Sequence, residues 1–466
     1  MKFFLTVLMF IFGYSAAYAV PSGRIITVSP EGPLKSVSEA ISTAESGDTI
    51  RILSGNYREH VVIDKTLTII GEGYPRIDGG GKGVVVLIKA PGTVFKGIHV
   101  TGSGTSLNLE DGGIILDSAH GSIIKENSLD DVLFGIYLKN SPDSIIEKNV
   151  VEGKDLALPE RGDGIRLWYS SGTKIIYNLV IRTRDLVIWW TSNTLIEGNR
   201  VEQGRYGLHY MVSNKNLFKD NIFIDNYVGG FLMYSSNITF ENNIFARNQG
   251  PATGYGIGFK DLDNVTAEGN LFIDNRIGMY LDNSPHLIDS WNKIEGNVIA
   301  FNDIGVSMMP SIERNAYIYN TFLDNNEQVE VRGGGTLKGN RWFEGKKGNY
   351  WSDYVGYDQD GDGVGDIPYK PESLFESIID SKPELRIFIY SPVSKAIELA
   401  SEAFPVMKPD PKLTDDYPIV KAHIPEHFLT GKRKIPLKLL IISFTMVMVP
   451  LFFCGYILKN RTGGKH

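Results

Sequence analysis

The amino-acid sequence predicts an all-β chain wound as a right-handed parallel β-helix. Three observations carry that expectation: an asparagine recurring every 20 to 29 residues, a glycine-led apolar motif interleaved with it, and abundant glycine. Asn127, Asn149, Asn178, Asn199, Asn221, Asn243, Asn270, Asn297, Asn320 and Asn340 each begin or precede a short apolar stretch. Between them fall Gly135-Ile-Tyr-Leu, Gly164-Ile-Arg-Leu, Gly256-Ile-Gly-Phe, Gly278-Met-Tyr-Leu and Gly305-Val-Ser-Met. A period in the low twenties with two short alternating strands per repeat is the pattern of a β-solenoid. Leucine-rich repeats share the period, but their Leu-x-x-Leu-x-Leu signature is absent. Fifty glycines suit many tight turns at positive φ. About ten coils stacked at the interstrand spacing would make a rod on the order of 50 Å long, with asparagine amides bonded in ladders along it. Asn237 and Asn264, though each heads an Asn-x-Thr triplet, are read as part of such stacking rather than as glycan acceptors.

An open solenoid end is an unpaired strand edge and needs cover. Residues 33–44 place Leu34, Val37, Ala40 and Ile41 at helical spacing, which predicts an N-terminal capping helix. Coils then occupy the span to about residue 350, within a β-helix domain of residues 20–350. An acidic, glycine-rich turn at 351–370 would close the solenoid. A Pro-rich extension follows over 371–433, with a helix expected from Pro392 to Ala403 behind Ser391 as N-cap. Residues 404–433 read as a tether.

The first 19 residues read as a signal peptide: Lys2, an apolar stretch from Phe3 to Phe12, and the small-residue site Ala17-Tyr18-Ala19. Leu439 to Leu458 contains no charge and is long enough to cross a bilayer, predicting a transmembrane helix over 434–459 and a cytoplasmic tail over 460–466. The bulk of the chain would be exported and anchored in the inner membrane. Cys454, the single cysteine, falls inside that span, so the exported part can form neither an internal disulfide nor a thiolate metal site. A net charge of -7 leaves no basic excess for nucleic acid.

Alternate strand residues face opposite ways. With the glycine of each motif as origin, and Leu186 in its place in one coil, two outward columns result. One holds Lys139, Trp168, Trp190, Met211, Tyr234, Lys260, Asp282 and Met309; the other holds Tyr137, Arg166, Ile188, His209, Leu232, Gly258, Tyr280 and Ser307. Trp168, Trp190 and Tyr234 then mark a surface contact patch. His209 and Met211, two apart on one strand, offer imidazole and thioether, a soft pair suited to Cu(I). The plain alternative is surface residues with no ligand role. Met233, Met279 and Met308 count inward, as core.

Two further groups are metal candidates. His423 and His427 would share a face on a helix, although Pro425 stands between them. Asp358, Asp360, Asp362 and Asp366 occupy positions 1, 3, 5 and 9 of a Ca²⁺-type loop, with Gly363 at position 6 and Tyr369 where the bidentate acid belongs. A structural turn without metal fits the same residues. The outward columns lack the paired carboxylates of a glycosidase, so the residues point away from an enzyme. A carbohydrate-binding or carbohydrate-active (lyase or hydrolase) protein is the alternative.

Several segments together resemble the NosD family: Ser46-Gly-Asp-Thr-Ile-Arg-Ile with Gly55-Asn-Tyr-Arg-Glu, the Asn/Gly coils, Gly348-Asn-Tyr-Trp-Ser-Asp-Tyr with Asp362-Gly-Val-Gly-Asp-Ile-Pro-Tyr, then Ser391-Pro, Phe404-Pro and Asp415-Asp-Tyr-Pro. The resemblance implies a periplasmic protein without catalytic turnover that works with an ABC-type ATPase and permease. It also implies receipt of Cu(I), as transient cargo, from a copper-donating lipoprotein chaperone and its delivery to nitrous oxide reductase as that enzyme's copper centre is built.

Overall fold

The structure, a computed structural model, describes residues 23–251 and 253–429. The predicted signal peptide (1–19), membrane helix (434–459) and tail (460–466) lie outside the described residues. Among the described residues no helix is long and apolar enough to cross a membrane. The chain divides into two units, one ending at His423 and one beginning at Ile424.

The first unit is a parallel β-solenoid with three faces per coil. In one representative coil Phe134–Lys139 lies on the first face, Ile145–Glu147 on the second and Val150–Gly153 on the third. Each strand pairs in parallel with its counterpart one coil on: Ile136 with Ile165, Ile146 with Ile175, Val151 with Val180. Third-face strands make a 13-stranded sheet. The other two faces join into one 23-stranded sheet, because Val228–Glu241 and Tyr255–Glu268 turn the corner unbroken. Thirteen coils make a stack of roughly 60 Å at the interstrand spacing, longer than the ten expected. The early coils escaped the count because Ile98, not asparagine, holds the ladder position before Asn127.

Inward side chains form one continuous core from Val28 to Leu413. Its middle is aromatic: Phe218 stacks on Phe240 at 4.7 Å, and Phe245 lies between Phe223 and Phe272 at 5.0 and 5.1 Å. Burying each such ring contributes about 1.5–3 kcal/mol. Helix α1 (Val37–Thr43) places Val37, Ala40 and Ile41 in this same core, and the Ser36 hydroxyl accepts the Glu39 N–H at its start.

Buried asparagines run along the rod from Asn127 onward. In the file Asn127, Asn149, Asn178, Asn199, Asn221, Asn243, Asn270, Asn297, Asn320 and Asn349, each residue's backbone N–H and side-chain Nδ2 donate to the Oδ1 of the next at 2.8 to 3.0 Å. Asn340 belongs elsewhere, to a shorter file with Asn292 and Asn315. A third file joins Asn226, Asn248, Asn275, Asn302 and Asn325, the last donating to Gln328 Oε1. The residue before each asparagine of the long file from Asn127 to Asn320 makes the corner in the left-handed region. That residue is glycine at 198, 269 and 296, but Glu126, Lys148, Tyr177, Asp220, Asn242 and Tyr319 hold the same conformation. A side chain there costs about 1–2 kcal/mol, which the amide bonds offset.

The segment expected as a tether is instead a strap across the last coils as far as His423. Asp415 is buried there and ends the long file: its Oδ2 accepts Asn349 N–H at 2.7 Å and Trp351 Nε1–H at 3.0 Å. Tyr369 and Val364 form antiparallel bridges to Asp415 and Ile419. Polar residues made this stretch look like a linker, but their partners sit some seventy residues earlier. Lys412, also buried, ion-pairs with Glu327, Glu376 and Asp380. Arg386 joins Glu327 and Glu330 at 2.7 and 2.8 Å. Glu376 and Asp380 lie on helix α2 (Leu374–Ser381), which is followed by helix α3 (Pro392–Ala403). Ser391 precedes α3, but its hydroxyl makes no capping bond.

Two results follow from these contacts. Asn243→Ala removes the acceptor for Asn221 N–H and the donor to Phe218 O, and should lower stability by about 2–4 kcal/mol. The exposed Asn237→Ala should change the denaturation midpoint little. The second result concerns pH. Four carboxyls (Glu327, Glu330, Glu376, Asp380) face only two cations, Lys412 and Arg386. Burial pushes Glu376 up to about 7 and Asp380 up to about 8, the charge of Glu327 adding to both. The folded chain therefore holds these protons more tightly than the unfolded chain. The stability they give is complete at acid pH and is lost as pH rises through 7 and 8. Hydrogen exchange corrected for intrinsic rate should show α2 opening more often at pH 9 than at pH 6.

Candidate functional site

Glycine at one column of the first face is a steric necessity. A Cβ at Gly135, Gly207, Gly229, Gly256 or Gly278 would stand 2.2 to 2.6 Å from the carbonyl oxygen of the glycine one coil on. Gly230 has nothing within 3.4 Å of its own Cβ position, so Gly229 is the column member in its coil. Asp185, not Leu186, holds the column in another coil, since Ile165 pairs with Leu186. Counting from Gly230 and Leu186 therefore shifts two strands by one residue, which exchanges their faces.

The outward columns change accordingly. One reads Lys139, Trp168, Trp189, Met211, Met233, Lys260, Asp282, each paired with the next. Beside it run Tyr137, Arg166, Val187, His209, Phe231, Gly258 and Tyr280. Leu232 and Ile188, expected outside, are fully buried, and Ser307 is covered by its bond to Glu330. Met233, expected inside, is half-buried on the outer surface beside Met211. Met279 and Met308 are core. Tyr234 lies one residue past the column at φ 53° and is exposed, apart from the tryptophans.

The remaining aromatic residues do gather. Trp168 lies 4.5 Å from Trp190 and 5.9 Å from Trp189, and Tyr169 stacks on Trp190 at 5.6 Å. Trp189 meets the His209 ring edge-on at 5.0 Å. Tyr206, Phe231, Tyr255 and Tyr280 continue as a file of tilted and stacked rings.

Beneath this wall lies a charge cluster. Asp185 has a fully buried side chain and accepts His209 Nδ1–H at 3.0 Å, Arg205 Nε–H at 3.0 Å and Tyr206 N–H at 3.1 Å. Burial works to raise the Asp185 carboxyl, but the bonds from His209 and Arg205 outweigh it and hold it below the ordinary carboxylate range. An ionised carboxylate only accepts, so the bond to Asp185 places an N–H on Nδ1 of His209; in the neutral ring this turns the Nε2 lone pair toward another partner. Asp163, equally buried, faces Arg166 at 3.5 Å and Arg184 at 3.3 Å. Burial and the neighbouring Asp185 charge push it up to about 6. Arg166 Nε and Trp189 Nε1 are buried without a hydrogen-bond partner. The sequence signal for Asp185 was the one gap in the glycine column; a bulge accommodates it, with Gly207 and Leu208 facing the single Leu186.

The other candidates lie apart from this wall. His423 is not helical: its ring rests 4.6 Å from Tyr319, and its N–H and carbonyl both bond the Thr321 hydroxyl. Helix α4 (Glu426–Leu429) begins only after Pro425, so the two histidines do not share a helix face. His427 belongs to the second unit and packs on Phe428 at 4.0 Å. Asp358, Asp360 and Asp362 converge, each accepting a turn N–H. Asp366 does not join them and accepts Gln359 N–H at 2.7 Å. Tyr369 is buried against Trp351 and donates to Asp353.

Asp185→Ala would strand Arg205 and His209 without their shared acceptor. A loss of about 3 kcal/mol follows in chemical denaturation, toward the low end for a broken buried pair because Arg205 reaches solvent.

Comparison with known proteins places this architecture. A family model described as periplasmic copper-binding protein (NosD) matches residues 151–356, and one for a right-handed β-helix region matches residues 60–185. The chain is 30% identical over 397 residues to the probable ABC transporter binding protein NosD of Pseudomonas aeruginosa, covering 79% of this chain and 87% of that one. It is 29% identical over 402 residues to its namesake in Stutzerimonas stutzeri, covering 82% and 89%. Among solved structures, the catalytic domain of a GH87 α-1,3-glucanase aligns with a TM-score of 0.53 at 14% identity, over 72% of this chain and 70% of that one. The AlgE6 A-module of the Azotobacter vinelandii mannuronan C-5 epimerase aligns at 0.50 and 14%, over 66% and 93%. Those two likenesses concern the fold alone. The family model's match and the 30% identity extending over most of both chains make this chain a member of the NosD family.

Proposed function

We propose that this chain is a periplasmic copper-handling assembly factor, without catalytic turnover, that serves the building of the copper centre of nitrous oxide reductase. The observation that carries the reading is His209 beside Met211 on the outer wall, with Asp185 fixing the imidazole so that Nε2 can bind a soft ion. Membership in a family described as periplasmic and copper-binding supports it. The relatives' name, ABC transporter binding protein, supports an ABC-type ATPase and permease as partners. A copper-donating lipoprotein and the reductase would stand before and after this chain in the transfer. Anchoring by residues 434–459 would keep it at the inner membrane. The tryptophan cluster around Trp168, Trp189 and Trp190 is the surface best suited to a partner.

For the acidic turn the reading is structural, with or without Ca²⁺: Asp358, Asp360 and Asp362 converge on one point and also satisfy the backbone of the turn. His423 is not helical and helix α4 begins only at Glu426, so the spacing that would pair His423 with His427 on one helix face is lost, which favours the wall as the copper site. A glycan-binding or glycan-cleaving reading is less well supported. The buried acids Asp163 and Asp185 are committed to arginines, and Tyr255 and Tyr280 cover each other's faces at 4.5 Å, leaving edges where a sugar needs a flat platform.

The full chain should bind one Cu(I) tightly in competition with a Cu(I) chelator, and His209→Ala/Met211→Ala should lose that binding. Binding unchanged in the double variant would move the site elsewhere. No binding by the wild type would end the copper-carrier reading.

A further inference from the structure

Met233 counts inward in the sequence pattern, and its actual place on the outer wall alters what that wall can do. It lies on the strand next to that of His209 and Met211, directly beside Met211 in register, and it shares Met211's half-buried outward position. Adjacent strands lie about 4.8 Å apart and residues two apart on one strand about 7 Å. One ion between flexible thioethers and a fixed imidazole is within reach of all three side chains. We infer that His209, Met211 and Met233 form a three-coordinate site, one nitrogen and two sulfurs, for a soft monovalent cation of the Cu(I) and Ag(I) class. This rests on the copper reading of the wall and names its ligand set.

The surroundings fit that class and disfavour others. Trp189 flanks Met211 on one side of the column and has its ring against His209. Lys260 flanks Met233 on the other, its charge engaged by Asp282 at 3.0 Å. Asp185, the nearest carboxylate to His209, spends its oxygens on His209, Arg205 and Tyr206 N–H. The set therefore offers thioethers and a neutral imidazole, and no anionic oxygen. Hard divalent ions such as Mg²⁺ and Ca²⁺ require oxygen ligands, whereas d¹⁰ monovalent ions favour sulfur and imidazole in low coordination numbers. Two thioethers and an imidazole carry no net charge, so the ion is held without strong electrostatic trapping. That suits a site that must release its cargo. Asp185 acts as a positioning residue: it fixes which ring nitrogen faces outward.

The test uses the full chain, loaded anaerobically with Cu(I) and, as a redox-inert probe, Ag(I). Met233→Leu keeps the volume and removes only the sulfur; Met309→Leu, on the outer surface several coils away, serves as control. The expected result is a loss of Cu(I) affinity of about tenfold or more in Met233→Leu, with none in the control. X-ray absorption should count two sulfurs per copper in the wild type and one in the variant. Wild-type affinity and sulfur count in Met233→Leu, while His209→Ala/Met211→Ala still abolishes binding, would overturn the three-ligand site and leave the copper reading standing. Binding indifferent to all these substitutions, or absent from the wild type, would overturn both.

Discussion

The parallel stacking of buried asparagine amides is the constraint on which the rest of this chain depends. From Asn127 to Asn320 each rung of the long file closes a corner whose preceding residue sits in the left-handed region, often with a side chain attached, as at Tyr177 and Tyr319. Such a corner is unfavourable in isolation. It persists because the asparagine that follows satisfies a backbone N–H in the previous coil and is itself satisfied by the next. Every rung thus depends on both neighbours, and stability is shared along the rod as nearest-neighbour terms. Only with that register held can side chains from separate coils line up on a wall.

The wall then draws its character from departures from the repeat. A glycine column runs beneath it because a Cβ would strike the next coil's carbonyl. Where that rule is relaxed, at Asp185, a bulge admits a carboxylate into an otherwise apolar layer, and arginines and His209 converge on it. Burying this many charges is costly unless they are paired. A repeat protein has no structural need of such a cluster at mid-length, and its presence directly under the histidine, methionine and tryptophan group sets this coil apart from the others.

Much of this was legible in the sequence, and the failures have physical causes. The repeat, α1, α3 and the outward place of Trp168, His209 and Met211 follow from periodicity, which is local. In two coils the glycine marker is ambiguous: Leu186 follows the true column residue, and Gly230 is the second of a Gly-Gly pair. A period-two pattern turns a single-residue slip into a reversal of faces, which hid Trp189 and Met233 and placed Leu232 outside. The strap is illegible in the sequence for a different reason. Asp415 and Lys412 acquire meaning only from partners at Asn349, Trp351 and Glu327, and no local pattern announces a contact at such sequence distance.

Termination by Asp415 has a consequence for how length can vary. The group that ends the long file comes from the strap, not from the coil itself. A whole coil added or lost before Asn349 would leave the ending chemistry unaltered. From the His209 strand to Asp415 there are six rungs (Asn221, Asn243, Asn270, Asn297, Asn320 and Asn349), a span of about 29 Å at the interstrand spacing. The rod therefore behaves as a ruler with integer graduations of about 4.8 Å. The reach between the wall and the strap can be reset only in whole steps, and each step carries the wall's orientation along with it.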